Sequence, residues 1–325
     1  MWYAKMYFSG KQEIFQYDAS GTQGVPSTQV ELPFLESLLS FLEMDWGEVT
    51  PALQGIAENW ERLLRKDDRE AGTAAMVDLG QLAQRHIYLR LLYVRCYNRF
   101  SRIGADIPVS EQEDQQLLDE LRHLSEQLPL YQRQVQRFFD LVLDVDSAGR
   151  DPQKQAATHY LYNSPKDPEL FVFRPIPLSF EPVELSRCSP VLYSGTIRDM
   201  IDYSLRSCVE REITVRRCKN CGRWFPQTGR VSAEYCERPV APGQQTCREA
   251  GAFQQWTKKQ SDDPVFKVYR KEYKKRFAWI KAKRITAEQF YTWSEQAREM
   301  KKKCDQEVIT LEEFEDWLKN AKVPL

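Results

Sequence analysis

The spacing of apolar and polar positions changes character along the chain, and each change marks an element. Trp2, Ala4, Met6 and Phe8 share one face of a period-two run. Ser9-Gly10 turns, and Ile14 to Tyr17 returns, which predicts a β-hairpin over residues 1–18. A Gly/Ser/Thr/Pro-rich stretch to about Thr28 reads as a loop. The period then lengthens to that of a helix. Leu35, Leu38, Leu39 and Leu42 predict one amphipathic helix. Thr50-Pro51, a cap followed by proline at the first helical position, starts a second that runs to about Arg65. Leu79, Leu82, His86, Leu89 and Tyr93 fall on one face of a long helix from about Gly72 to Phe100. Ser110 with Glu113 reads as a capping box, Pro129 ends that helix, and another runs to about Val145. Such helices are expected to pack as an antiparallel bundle.

The second half is more interrupted. Residues 146–167 read as a connecting region with a short helix near Gln153 to Tyr162. The stretch FVFRPIPLSFEPVE, Phe171 to Glu184, carries too many prolines for a central strand and reads as an edge strand or a strap. Thr196 caps a helix whose inner side is Ile197, Met200, Ile201, Leu205 and Val209. Asp263-Pro264 starts another. Thr286 with Gln289 and Thr310 with Glu313 start two more as capping boxes. The last two share a pattern, Ile285-Thr286 then Phe290 and Trp293, repeated as Ile309-Thr310 then Phe314 and Trp317. We read it as two similar helix starts, each placing Phe and Trp three apart on a buried face. The expected fold is mainly α: an N-terminal helical bundle with a small β-hairpin (1–165), an extended connector (166–195), a small α+β zinc-finger domain of treble-clef type (196–260), and basic helices (261–325).

Composition narrows the setting. A chain of 325 residues has room for two domains. No run approaches the roughly 18 consecutive apolar residues of a membrane span. The N-terminus MWYAKMYFSGKQ lacks the layout of a signal peptide. A cytoplasmic protein with reduced thiols and no membrane partner is therefore expected, and its eight cysteines read as thiols or metal ligands. The near-neutral total charge hides an asymmetry. Arg211 to Lys303 holds 23 Lys+Arg and 10 Asp+Glu, a net of +13, while the rest of the chain carries −14. Such a split points to an anionic partner for the basic part, or to acidic and basic parts facing each other.

Four of the cysteines lie in CKNCGRWFPQTGRVSAEYCERPVAPGQQTC with the spacing C-x2-C-x14-C-x10-C. Four soft thiolates suit tetrahedral zinc, and a closed set of four is structural. Cys218, Cys221, Cys236 and Cys247 are therefore the expected ligands of a structural zinc ion. Gly222 permits the left-handed turn that a C-x2-C knuckle needs. Arg223 to Phe225 and Ala233 to Tyr235 are expected to pair as a hairpin turned at Thr228-Gly229, and Cys247 opens a helix. That order, knuckle, hairpin and helix, is that of a treble clef. A redox pair of Cys218 and Cys221 is the rival reading, without the strand-helix context of a thioredoxin-like motif. Cys96, Cys188, Cys208 and Cys304 read as small buried hydrophobes.

The run RRCKNCGRWF…YC…TC, preceded by a helix and a helical N-terminal region, resembles the CGNR-type zinc-finger proteins of bacteria. The specific likeness spans about Thr196 to Lys259. It implies a helical N-terminal domain, a C-terminal treble-clef finger and a DNA-binding regulatory role. This chain has Arg248-Glu249-Ala250 after the last cysteine where that family has Gly-Asn-Arg, and its first cysteine pair is more closely spaced. The zinc ligands carry over, and the DNA-contacting residues do not. The whole is expected to fall in an uncharacterised bacterial family of unknown function.

On the helix from Asp263 to Lys283, Phe266, Tyr269, Tyr273, Phe277 and Ile280 form one stripe, and Lys267, Arg270, Lys271, Lys274 and Lys281 a second. A cationic face suits phosphate contacts; an ordinary solvated face is the plain alternative. With Arg216, Arg217, Lys219, Arg223, Arg230 and Arg248 near the cysteines, these are the candidate nucleic-acid contacts. Trp224 and Phe225 are read as the plug behind the metal and not as base-stacking residues. The histidines His86, His123 and His159 form no H-x-E or H-E-x-x-H, and no P-loop, G-x-S-x-G or G-x-G-x-x-G is present. His86, on an apolar face, reads as a satisfied core residue. The expected function is a non-enzymatic, zinc-organised DNA- or RNA-binding bacterial transcription regulator, its helical domain sensing a signal or forming a homodimer. Two alternatives stand beside it: a protein–protein interaction module in which zinc is purely structural, and an enzyme without a recognisable motif.

Overall fold

The computed structural model describes residues 4–18, 28–104, 110–162, 169–185, 187–229, 232–241, 245–251 and 263–321. Trp2, the loop at 19–27 and Arg230 of the sequence reading lie outside them. The chain forms two compact units, Met1–Cys218 with Gly222–Glu234, and Lys219–Cys221 with Tyr235–Leu325. The fold is mostly helical with a small antiparallel sheet.

The expected hairpin is present as β1 (Ala4–Ser9) and β2 (Gln12–Tyr17), turned at Gly10 with φ of 57°. It is not a separate ornament. It lies in a five-stranded sheet of order β3-β2-β1-β5-β4, with β3 at Thr28–Pro33, β4 at Leu178–Glu184 and β5 at Arg187–Ser194. Met6 stands opposite Phe15 on one side and Leu192 on the other. Ala4, Met6, Phe8, Phe15, Tyr17 and Leu192 turn the same face into the core. The small-hairpin expectation is corrected for a physical reason. β3 (TQVELP) has few large apolar residues, and β5 (RCSPVLYS) contains a proline, so neither reads as a strand. Pro182 does mark β4 as an edge strand.

Helices cover the sheet: α1 (Glu36–Glu43), α2 (Trp46–Lys66), α3 (Arg69–Leu82), α4 (Ile87–Gly104), α5 (Glu111–Phe138) with a wider turn at Phe139–Leu143, α6 (Pro152–Tyr162) and α7 (Ile197–Glu210). The second helix starts a turn earlier than Thr50-Pro51 suggests. Asp45 caps it by accepting from the Gly47 N–H at 2.9 Å, and Pro51 sits inside. The expected long helix at 72–100 is two helices, broken where the His86 ring accepts from the Tyr88 N–H. Pro129 does not end α5, which runs through it, and the Ser110 side chain makes no capping bond. One core joins this sheet and these helices and reaches Val215 and Trp224.

In the second unit α9 (Pro264–Lys281), α10 (Ala287–Asp305) and α11 (Leu311–Asn320) close around Phe290, Trp293, Ala297, Cys304, Phe314 and Leu318. Both capping boxes form, at Thr286/Gln289 and Thr310/Glu313. The repeated Phe and Trp positions face this core, Trp317 only partly buried. Arg276 is inside as well, 3% exposed. It donates to Glu272 at 3.1 Å and to the carbonyls of Leu318 and Ala321, and its guanidinium stacks 4.6 Å from the Trp293 ring. No helix among the described residues is long and apolar enough to cross a membrane.

Candidate metal centre

The first two cysteines sit on a tight knuckle. β6 (Val215–Arg217) pairs with β7 (Trp224–Pro226), Arg217 opposite Trp224. Between them the Gly222 N–H donates to the Cys218 carbonyl at 2.8 Å, and the Cys218 N–H to the Arg223 carbonyl at 2.9 Å. Gly222 has φ of 72°, where a side chain would be strained. The strand partner of Arg223–Phe225 is therefore Val215–Arg217, not Ala233–Tyr235. No strand forms at 233–235; a side chain holds that segment instead, Arg216 donating to the Ala233 carbonyl at 3.0 Å.

The ten-residue gap between the other two cysteines is zipped shut. The Arg248 N–H donates to the Cys236 carbonyl at 3.0 Å, the Cys247 N–H to Arg238 at 2.8 Å, and the Val240 N–H to Gln245 at 3.1 Å. Pro239 and Thr246 bridge between them. A helix, α8, opens at Cys247 and is described to Gly251. A Cβ at Gly251 would lie 2.2 Å from the Tyr235 ring, so that glycine allows α8 to approach the segment before Cys236.

The sulfurs of Cys218, Cys221, Cys236 and Cys247 all lie within 4.8 Å of one another. Those of Cys221 and Cys236 are 3.8 Å apart. A disulfide needs about 2.05 Å, whereas a tetrahedron of thiolates around zinc has edges of about 3.8 Å. The cluster therefore fits a metal ion better than a disulfide. Cys218, Cys236 and Cys247 are 1–3% exposed, and Cys221 opens to solvent. The Asn220 amide donates toward the Cys247 sulfur at 3.4 Å, a bond that stabilises a thiolate and orients it. Nothing in the spacing signalled Asn220; its position inside the C-x2-C turn is the only clue. Of the remaining cysteines, Cys96, Cys208 and Cys304 are buried as expected. Cys188 is exposed on β5, which corrects its reading as a buried hydrophobe.

Trp224 and Phe225 are 6% and 8% exposed, and the Trp224 indole donates to Gln136 at 3.2 Å, consistent with a plug. Four described arginines around the cysteines each meet a carboxylate. Arg216 makes two 2.9 Å bonds to Asp146. Arg217 lies 3.7 Å from Asp140 and 4.5 Å from the Trp224 ring centre. Arg223 lies 3.4 Å from Glu43, and Arg248 2.6 Å from Glu237. Lys219 is exposed on the knuckle. On α9, Lys267, Arg270, Lys271, Lys274 and Lys281 are all exposed. Among the described residues no carboxylate stands within ion-pair distance of any of them, and Arg270 lies 5.8 Å from the centre of the Phe266 ring.

A second polar cluster lies buried in the first unit. Glu13, fully buried, accepts from the Ser37 N–H at 2.5 Å and the Ser37 hydroxyl at 3.1 Å, and burial pushes its carboxyl up to about 8. His86 Nδ1 accepts from the Tyr88 N–H at 3.1 Å, so Nε2 carries the proton and donates to the Ser37 carbonyl at 2.9 Å. Burial pulls this ring down to about 4. The Ser40 hydroxyl is 3.0 Å from Nε2 but faces its proton, not a lone pair, so His86 does not activate Ser40 as a base. His86 is the satisfied core histidine that the sequence suggests.

With this geometry in view, the comparisons with known proteins add one finding. Residues 192–323 match a family described as a family of unknown function, DUF6076. The matched stretch takes in β5 to α11, hence all four cysteines and the α9 row. It does not identify the chain with the CGNR-type fingers. No curated protein and no solved structure matches the chain.

Proposed function

We propose that the chain is a zinc-stabilised nucleic-acid-binding protein whose phosphate-contacting surface is the cationic face of α9. Zinc is the metal that four cysteine thiolates at tetrahedral spacing suit best, and a closed four-thiolate set gives it a structural role. The observation that carries the binding reading is the row of five exposed cations on α9, with no carboxylate among the described residues within ion-pair distance of any of them. A surface cation usually finds a partner or is dispersed among opposite charges. Five on one helical face form a positive strip about 21 Å long from Lys267 to Lys281, at 1.5 Å per residue. Such a strip attracts a polyanion and gains affinity by releasing its counterions.

The test is the affinity of the full-length, zinc-loaded chain for labelled DNA and RNA over a salt series. Five phosphate contacts predict a log–log slope of about −4. Reversing Lys267, Lys271 and Lys274 to Glu removes measurable binding and leaves the helical circular dichroism unchanged. A flat salt response, or no binding of DNA or RNA at low salt, rejects this reading and directs attention to an acidic protein partner.

A further inference from the structure

The cationic face of α9 carries an exposed aromatic ring where a purely phosphate-binding helix has no use for one. Phe277 is 45% exposed. On the helix it lies among Arg270, Lys274 and Lys281, at seven and three residues before it and four after, on the border between the packed and the cationic faces. Its ring is held in place from within. It stacks parallel to Tyr273, 6.5 Å between centres and 5° between planes, and meets the buried Phe290 edge-on at 5.5 Å. Tyr291, 58% exposed at the start of α10, meets the same Phe290 ring at 5.6 Å. Two outward-facing rings thus flank one buried ring, and Phe277 sits beside a row of cations with no acidic partner among the described residues.

We infer that this surface takes single-stranded nucleic acid, with Phe277 and Tyr291 stacking on bases while Arg270, Lys274 and Lys281 hold the backbone. The inference rests on the nucleic-acid reading of α9 and sharpens it. Phosphate contacts alone do not distinguish a duplex from a single strand. A side-chain ring does, because duplex bases are stacked on each other and a single strand offers a free face at every base. Single exposed aromatics are ordinary on protein surfaces; that these two are held by the same buried Phe290, and that the cations of the α9 face border Phe277, is what names the ligand. Stacking of this kind tolerates any base, so little sequence preference is expected.

The experiment measures fluorescence anisotropy of the full-length zinc-loaded chain with a 20-mer oligothymidylate, a duplex of the same length, and polyphosphate, which has charge but no bases. The oligothymidylate is expected to bind at least about tenfold more tightly than the duplex. Phe277→Leu keeps an apolar side chain against Phe290, and Tyr291→Ala removes an exposed ring, so neither is expected to disturb the melting curve. Each should weaken oligothymidylate binding by about 5- to 150-fold, the range for loss of one stacked base. Each should leave the salt slope and polyphosphate affinity unchanged, and Phe277→Trp should restore binding. Salt-dependent duplex binding as tight as that of the single strand, with both variants silent, overturns this inference and leaves the proposed function standing. Failure of all three probes to bind overturns both.

Discussion

The basic residues around the cysteines and those on α9 belong to one stretch of net charge +13 in the sequence, yet the fold treats them differently. Arg216 is 12% exposed in its side chain and spans Asp146 and the Ala233 carbonyl; Arg217, Arg223 and Arg248 each stand beside an acid. Among the described residues, Lys267, Arg270, Lys271, Lys274 and Lys281 on the open face of α9 stand beside none. Arginine's planar fork lends itself to fixed, multiply bonded positions, and lysine's flexible stem to a solvated charge. Under the proposed function, pairing and burial, and not proximity to the cysteines, pick out the contact surface, and they narrow a general excess of charge to one helical face.

The largest effect that tests this contrast comes from the metal. The purified chain should carry one zinc per chain, and Cys236→Ser should lose it, since structural zinc contributes on the order of 10 kcal/mol to the folding of small finger peptides. The α9 face, however, is built on its own core of Phe290, Trp293, Phe314 and Leu318. Nucleic-acid affinity of Cys236→Ser should thus stay within a few-fold of the parent, read by anisotropy after metal analysis. Loss of binding together with the metal would reverse the contrast and return the contacts to the arginines of the knuckle.

Next in size is Arg276, which the sequence counts among the cations of α9 but the fold buries. Arg276→Met leaves Glu272, whose side chain is 11% exposed, with only the half-exposed Lys275 beside it, and removes the donor to the Leu318 and Ala321 carbonyls. The loss should be about 3–5 kcal/mol, as for breaking one side of a buried pair, measured by urea denaturation. Replacing both partners with apolar residues should recover most of it. Lys274→Met, two residues away on the open face, should barely shift the denaturation midpoint.

The same rule extends to acids through Glu13. Its folded value is raised to about 8, so between the ordinary carboxylate value and that point the folded state holds a proton that the unfolded chain has released. Stability therefore falls as pH rises through this window, by about 2–3 kcal/mol between pH 6 and pH 8. His86 works the other way. Its folded value is lowered to about 4, so stability is lost as pH falls below about 6.5. The two slopes oppose each other in mildly acidic solution, and only that of Glu13 remains above neutrality. Glu13→Gln, which resembles the protonated acid, should flatten the upper limb of a pH series of thermal melts. An unchanged limb would mean that a group other than Glu13 sets it.

How much of this was legible in the sequence depended on the range of the interaction. Local rules worked. Thr196, Asp263, Thr286 and Thr310 cap helices where their side chains reach a nearby N–H, and the four cysteines announced themselves by spacing. Non-local pairing did not. β5 joins β1 across more than 180 residues, and Pro190 within it argued against a strand. Proline also misled at Pro51 and Pro129, because helices packed on a large core tolerate a break in their bonding that an isolated helix does not. The loose Cys236–Cys247 gap closed through backbone bonds that no residue type signals. Nothing in the sequence marked Arg276 as buried, because charge says nothing about which side of a helix an ion pair will occupy.

The smallest expected effect is also the sharpest comparison of the two regions. Arg223 and Lys274 are both exposed cations within the matched stretch, and neither contributes much to stability; an exposed pair such as Arg223–Glu43 is worth under about 1 kcal/mol. Thermal melts of Arg223→Ala and Lys274→Gln should therefore look alike. Their salt titrations should not. Removing one phosphate contact lowers the slope by about 0.7 to 0.9, so Lys274→Gln should show that decrement and Arg223→Ala none, its guanidinium being already engaged with Glu43. If Arg223→Ala shows the decrement instead, the Glu43 pair opens when nucleic acid arrives. Pairing in the free protein would then fail to mark an arginine as structural.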